Sequence, residues 1–177
     1  MTAKDAALKA QGRRQDVLAA VEAFESRLTR YALRLLGDYD LARDAVQHAF
    51  VQLCDEPPRS SPDLAAWLFT VCRNKAYDHL RRGQRAESLD GHPAGDLLTS
   101  RETDPAELAS RGDLHAWVRE QTQRLPVPQR EVLILWSEGF SYREIAGITS
   151  RTEGNIRVLV HRALTALRAI VAVSEKV

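Results

Sequence analysis

Basic and aromatic side chains recur with helical spacing in the first half of the chain. Arg73, Tyr77 and Arg81 are four residues apart, with Asn74 and Arg82 beside them, so a helix would present all five on one side. We call this set the first basic face. Guanidinium groups contact phosphates and an aromatic ring stacks on bases, which together suit an unpaired nucleic-acid strand. The alternative is a solvated face with Tyr77 packed against the core, and the spacing does not decide between them.

A second candidate nucleic-acid surface lies near the end of the sequence. Ser141 and Glu144 fit a capping box that begins a short helix. A polar turn follows at 149–151, and Thr152 fits the N-cap of a last helix. The apolar spacing of that helix leaves the second basic face outside, which consists of Glu153, Asn155, Arg157, Val158, His161 and Arg162. The pattern predicts a helix-turn-helix whose last helix enters the DNA major groove, and the alternative is a helical hairpin with a solvated basic face.

The sequence contains no strong catalytic motif. The candidate ligands His48, Cys54, Cys72 and His79 include neither a C-x-x-C pair nor two histidines four residues apart. Glycine-rich phosphate loops and nucleophile elbows are also missing. We therefore expect a non-enzymatic protein with no metal, no cofactor and reduced thiols, and a metal-dependent helical enzyme is a less favoured alternative.

The composition is that of a globular protein. The chain has 177 residues, 44% of them apolar, and its 25 basic side chains nearly balance 24 acidic ones. No apolar run approaches the roughly 20 residues of a membrane helix, and no apolar stretch follows the basic N-terminus as in a secretory signal. These features predict a soluble, cytoplasmic protein.

The charges are distributed unevenly along the chain. Residues 73–85 hold five bases and one acid, and residues 151–168 hold four bases and one acid. Residues 83–104 hold two bases and five acids, together with three glycines and one proline. This composition predicts a flexible acidic linker at 83–104 between two small domains, at 17–82 and 105–177.

Apolar residues recur at intervals of three and four, which predicts an all-α fold. In the first domain, one helix ends at Gly37, a second begins after an N-cap at Asp40, and a third runs from Ser61-Pro62 to about Arg82. Residues 1–16 are expected to be frayed. In the second domain, helices are expected to begin at Asp104-Pro105, at Pro126 and Pro128, at Tyr142 and after Thr152.

The second helix has an apolar stripe opposite a largely polar face. The stripe expected to be buried consists of Leu41, Ala45, Val46, Ala49, Phe50 and Leu53. The opposite face consists of Asp44, Gln47, His48, Val51 and Gln52. Trp67 shares a stripe with Leu64 and Leu68 on the third helix, so it is expected in the core. The last helix is expected to bury Ile156, Leu159, Val160, Ala163, Leu164, Leu167 and Ile170.

Several segments, in this order and spacing, closely resemble bacterial RNA polymerase sigma factors of the extracytoplasmic-function group. They are LARDAVQHAF at 41–50, WLFTVCRNKAYDHLRR at 67–82, LPVPQREVL at 125–133, GFSYREIA at 139–146 and TEGNIRVLVHRA at 152–163. The resemblance covers about residues 17–171. It implies a domain like sigma region 2, a linker too short for a region 3 domain, and a domain like sigma region 4.

The resemblance also implies partners and residue roles. The partners would be core RNA polymerase, through its β′ and β subunits, promoter DNA, and an anti-sigma factor. Docking on the β′ coiled coil would involve Asp44, Gln47, His48 and Val51. Contacts to the −10 element would come from Arg73, Asn74, Tyr77, Asp78, Arg81 and Arg82. Contacts to the −35 element would come from Arg151, Thr152, Asn155, Arg157, Val158, His161 and Arg162.

The sequence departs from the family pattern at three places. Thr149-Ser150 stands where Leu-Gly is common, Leu159 stands at a frequently basic position, and Arg43 stands where an acid is common. Docking would therefore depend more on Asp44. The main alternative function is a free-standing helix-turn-helix regulator, but the first half shows neither an effector pocket nor a dimer heptad.

Overall fold

A computed structural model describes residues 3–56, 58, 63–89 and 119–174. Within these ranges the chain is helical and contains no strand, which confirms the all-α prediction. After a short helical segment at 119–123 come the last three of six longer helices. The six are α1 (Ala3–Leu36), α2 (Tyr39–Asp55), α3 (Leu64–Leu89), α4 (Val127–Ser137), α5 (Tyr142–Thr149) and α6 (Glu153–Ser174).

The turn between α1 and α2 follows from a glycine and an aspartate. Gly37 ends α1 at a φ of 75°, in the left-handed region where a residue without Cβ is favoured. Asp38 is extended and its carboxylate accepts a hydrogen bond of 2.9 Å from the amide of Leu41. The N-cap is therefore Asp38, and the prediction of Asp40 was wrong because both aspartates fit the pattern. Helix α1 begins at Ala3, inside the segment 1–16 that was expected to be frayed.

Helix α3 begins later and ends later than predicted. Asp63 accepts a 3.1 Å hydrogen bond from the amide of Ala66, so it satisfies a free amide of the first turn. Ser61 and Pro62 lie outside the described residues. The helix continues through Gly83 to Leu89, because one glycine costs only about 1 kcal/mol between good helix formers. The start of the predicted linker is thus helical, and its remainder at 90–104 lies outside the described residues, as does the predicted helix start at Asp104-Pro105.

Helices α1, α2 and α3 pack together as the first domain. Helix α2 buries Ala42, Ala45, Val46, Ala49 and Leu53. Leu41 is 38% exposed, so its predicted burial was wrong, and Ala42 takes the position that faces the core. Phe50 and Trp67 are half-buried and pack against the core, as expected for both.

The second domain has the predicted helix-turn-helix. Ser141 and Glu144 make both hydrogen bonds of the capping box at the start of α5. Ser150 ends α5 at a φ of 54°, in the conformation that favours glycine. Thr152 accepts a hydrogen bond of 3.3 Å from the amide of Asn155 and so caps α6. Helix α6 fully buries Ile156, Val160 and Ala163, whereas Leu159, Leu164 and Leu167 are only partly covered and the side chain of Ile170 lies outside the description.

The two domains pack against each other. Helix α1 contacts α4, and α3 contacts α5. The ring of Phe69 in α3 lies 4.8 Å from the ring of Phe140 and 5.2 Å from the ring of Tyr31, measured between centroids. All three rings are buried, so the apolar cores of the two domains form one continuous cluster. The sequence pattern had predicted two domains without predicting this contact.

Candidate nucleic-acid interfaces

The second basic face is open to solvent. All of its members on α6 are exposed, including the apolar Val158, which is 48% exposed. Arg157 pairs with Glu153 at 2.6 Å, and both side chains of this pair are well exposed. Thr152 is exposed at the end of the turn, and Arg151 is half-buried. Guanidinium, imidazole, amide and small apolar groups on one exposed helix can contact phosphates, base edges and a thymine methyl.

The first basic face is divided between solvent and the second domain. Asn74, Arg81 and Arg82 are exposed. Asp78 is half-exposed and forms a short contact with Arg81, and the hydrogen bond from that guanidinium lowers the pKa of the Asp78 carboxyl. Arg73 and Tyr77 instead point toward α4 of the second domain.

Arg73 forms a buried ion pair with Glu131 of α4. Its Nε lies 2.6 Å from Glu131 Oε1, and the exposed fractions of the two side chains are 14% and 0%. The guanidinium carbon also lies 4.4 Å from the ring centroid of Tyr77. Burial opposes the charge of Arg73, but the Glu131 carboxylate outweighs this penalty and raises the pKa of the guanidinium.

Two tyrosine hydroxyls complete the surroundings of Glu131. Tyr77 donates to Glu131 Oε2 at 2.8 Å, and the buried Tyr31 donates to Oε1 at 3.4 Å. Burial, together with the neighbouring carboxylate, raises the pKa of Tyr77 to about 12, and the same causes raise the pKa of Tyr31. Both hydroxyls are therefore protonated donors at neutral pH, which stabilises the Glu131 carboxylate.

A second polar contact joins α1 to the end of α4. Glu138 accepts two hydrogen bonds from Arg30, of 2.8 and 3.0 Å, and lies 3.5 Å from Arg27. Arg27 also donates to the main-chain carbonyl of Glu138 at 2.8 Å. Burial disfavours the Glu138 charge, but the two arginines outweigh it and hold the pKa of this carboxyl below its usual value.

The predicted docking face on α2 is available to a partner. Gln47 is exposed, Val51 is 54% exposed, and His48 is half-buried. Asp44 lies 3.0 Å from Lys75 Nζ and 2.8 Å from His79 Nε2, and its side chain is 50% exposed. The hydrogen bond from Lys75, and then that from His79, lower the pKa of Asp44.

The candidate metal ligands do not converge in the part of the chain that the structure describes. There, no group of three or more His, Cys, Asp or Glu side chains could hold a metal ion. Cys54 is exposed and Cys72 is buried, and burial raises the pKa of the Cys72 thiol to about 12. No helix in the described ranges is long and apolar enough to cross a membrane.

Glu131 and Glu138 are the functional candidates that the sequence analysis missed. Both lie in or next to α4, in which Glu131 is buried together with Val132, Ile134 and Leu135. A carboxylate four residues before Leu135 on this apolar side is a detectable signal, because a buried charge needs a partner. The partner itself could not be predicted, because it depends on how the two domains pack.

The sequence matches two protein families in order. Residues 20–86 match the family described as Sigma-70 region 2, and residues 115–167 match the family described as Sigma-70, region 4. The chain is 35% identical over 164 residues to a protein of Rhodopseudomonas palustris named ECF RNA polymerase sigma factor EcfG, covering 90% of this chain and 85% of that protein. It is 31% identical over 145 residues to ECF RNA polymerase sigma factor SigL of Mycobacterium tuberculosis, covering 80% of each.

Solved structures show the same fold. The sigma factor RpoE of Bartonella quintana, crystallised with the anti-sigma factor NepR, is similar with a TM-score of 0.71 and 30% identity. The match covers 90% of this chain and 96% of that one. CnrH, solved in complex with the cytosolic domain of CnrY, is similar with a TM-score of 0.66 over 95% of both chains, and its 22% identity supports the fold alone.

Proposed function

The chain belongs to the extracytoplasmic-function (ECF) group of RNA polymerase sigma factors, and we propose that it binds core RNA polymerase and directs it to promoter DNA. The function is one of binding and positioning, with no catalysis by the chain itself. Because core polymerase is its partner, we place its action in the cytoplasm. The single observation that carries the proposal is the pair of nucleic-acid faces, one on each domain, in the order of regions 2 and 4.

In this proposal the second domain reads the −35 element. The face that α6 exposes would lie in the major groove, with Arg157, His161 and Arg162 as the basic contacts. Val158 is exposed beside them and suits a thymine methyl group. Arg151, Thr152 and Asn155 lie at the N-terminal end of α6, where main-chain amides and the helix dipole favour a phosphate.

The first domain would bind the −10 element and help to open it. Opening a duplex without ATP requires binding energy that is gained only on the separated strand. Stacking on an aromatic side chain provides about 1 to 3 kcal/mol per base, and basic groups hold the backbone. Tyr77 and Arg73 are the aromatic and basic candidates, with Asn74, Asp78, Arg81 and Arg82 along the same helix.

The exposed side of α2 would dock on the polymerase, with Asp44, Gln47, His48 and Val51 as its contacts. An anti-sigma factor is a further expected partner, because the relative from Bartonella quintana was solved in complex with one. Such a partner would compete with polymerase for the chain.

Co-purification with core polymerase tests the proposed function. The double substitution Asp44→Arg with Gln47→Arg should abolish co-purification, because it reverses the charge of the exposed α2 side without touching the core. The double substitution Gln15→Arg with Glu22→Arg makes the same net change on exposed α1 positions and should leave binding at the parent level. Circular dichroism checks that both variants keep their helical content.

Undiminished binding of the α2 variant would contradict the docking assignment. A parent chain that binds promoter duplex tightly without polymerase, and never co-purifies with it, would instead support the free-standing regulator.

A further inference from the structure

Glu131 belongs to the second domain, yet it is satisfied by the first. The carboxylate is fully buried, and its hydrogen-bond partners in the described residues are Tyr31, Arg73 and Tyr77. All three partners come from α1 and α3. These hydrogen bonds exist only while the domains are in contact, and within the closed form the loss of a partner would leave a buried charge uncompensated.

Two of these partners are the strand-binding candidates of the first basic face. Arg73 and Tyr77 are the candidates for the phosphate contact and the stacking ring, and both bind Glu131 of the second domain. A carboxylate that accepts from a guanidinium and a phenol offers the same chemistry as a phosphate oxygen of a nucleic-acid strand. The remaining exposed members of the face, Asn74, Arg81 and Arg82, would bind a strand without its main stacking partner.

We propose that Glu131 holds the free protein in a closed form in which the second domain and the separated promoter strand compete for Arg73 and Tyr77. The inference rests on the proposed function, because it takes the first basic face to be the strand-binding face. The occupant of that face in the free chain is α4 of the same chain. Binding to polymerase would have to separate the domains before the strand could reach Tyr77.

The contact at Glu138 allows an independent test of the closed form. Glu138 binds Arg27 and Arg30, neither of which belongs to the first basic face. A variant at this position weakens the domain contact while leaving Glu131, Arg73 and Tyr77 unchanged. Strand binding should therefore increase in that variant only if domain packing covers the face.

The experiment measures domain separation and strand binding in the free, full-length chain. A donor and an acceptor dye are placed on the exposed Cys54 and on Ala169→Cys at an exposed position of α6, while Cys72 is buried and has a raised pKa. The strand probe is fluorescein-labelled oligothymidylate. The variants are Glu131→Gln and Glu138→Gln, and the control is Glu120→Gln, whose side chain pairs with Arg124, four residues later in the same domain.

Glu131→Gln should lower the energy transfer between the dyes and raise the affinity for oligothymidylate about tenfold, as one weakened charged hydrogen bond allows. Glu138→Gln should change both measurements in the same direction by a smaller factor, and Glu120→Gln should change neither. Far-UV circular dichroism and thermal unfolding check that each variant remains folded.

The proposal is overturned if both interface variants keep the parent energy transfer, or if the domains separate without any gain in oligothymidylate binding. Failure of the parent chain to bind core polymerase would contradict the proposed function instead. The dye measurements on the free chain would still decide whether Glu131 holds the domains together.

Discussion

In each basic face an arginine lies 2.6 Å from a glutamate, but the two ion pairs lie in different surroundings. Arg157 and Glu153 are exposed neighbours on one helix. Arg73 and Glu131 are buried and join two domains. Solvent weakens the first pair, so Arg157 can exchange Glu153 for another anionic partner at little cost. Water is excluded from the second pair, so removing one of its partners is costly. The same two kinds of side chain therefore join the two domains there. The comparison teaches that burial, not distance, decides what these pairs contribute.

The two ion pairs should differ most in the stability that is lost when Glu131 or Glu153 is removed. Glu131→Ala should destabilise the domain contact by about 3 to 5 kcal/mol, because it leaves Arg73 uncompensated. The measured loss cannot exceed the free energy of domain closure, since the domains can separate and solvate Arg73. Glu153→Ala should cost about 0 to 1 kcal/mol. Urea unfolding followed by circular dichroism measures both, and equal losses would contradict the comparison.

The sequence predicted the local structure well where one segment determined it. The capping box at Ser141, the left-handed turn at Gly37 and the exposed side of α6 all follow from residue types within a few positions. The N-cap at Asp38 and the continuation of α3 through Gly83 were missed, since competing signals of similar strength lie close together.

The packing of the two domains could not be predicted from the sequence patterns. The spacing of Arg73 and Tyr77 identified a helical face, but it could not show that a carboxylate 54 positions after Tyr77 covers it. The helical period specifies which residues share a side, and tertiary contact specifies what that side meets. The roles of individual residues toward polymerase and promoter remain predictions.

Alanine substitutions on the second basic face test whether its arginines contact base edges or phosphates. Arg157→Ala or Arg162→Ala should cost about 1 to 3 kcal/mol at one base position if the side chain reads a base edge. If it contacts a phosphate, binding should weaken equally for all sequences and the salt dependence should decrease. Holoenzyme binding to promoters with single changes in the −35 element separates the two cases. Unchanged promoter selection in both variants would contradict the assignment of α6.

Acid should loosen the domain contact through Glu138. The pKa of Glu138 lies below the ordinary glutamate value of 4.5 in the closed protein. Its stabilisation is therefore present above pH 4.5 and is lost as the pH falls through the lowered pKa. Energy transfer between dyes on the two domains should fall in this range, and Glu138→Gln should reduce that dependence. A parent and a variant with identical pH profiles would exclude Glu138 as the source.

A smaller effect than at the domain contact is expected at the cap of α5. Ser141→Ala removes the side chain that accepts from the amide of Glu144 and should cost about 1 kcal/mol. Ser141→Thr keeps a hydroxyl and should restore most of this loss. Thermal unfolding measures both variants, and a larger loss in the threonine variant than in the alanine variant would contradict the capping explanation.

The most direct test of the account is the distance between the domains before and after core polymerase binds. With dyes on Cys54 and Ala169→Cys, the free parent chain should show high energy transfer, because Glu131 and Glu138 hold the second domain against α1 and α3. Adding core polymerase should lower the transfer as the first basic face becomes available. Transfer that is already low in the free chain, or that stays high in the holoenzyme, would contradict the account.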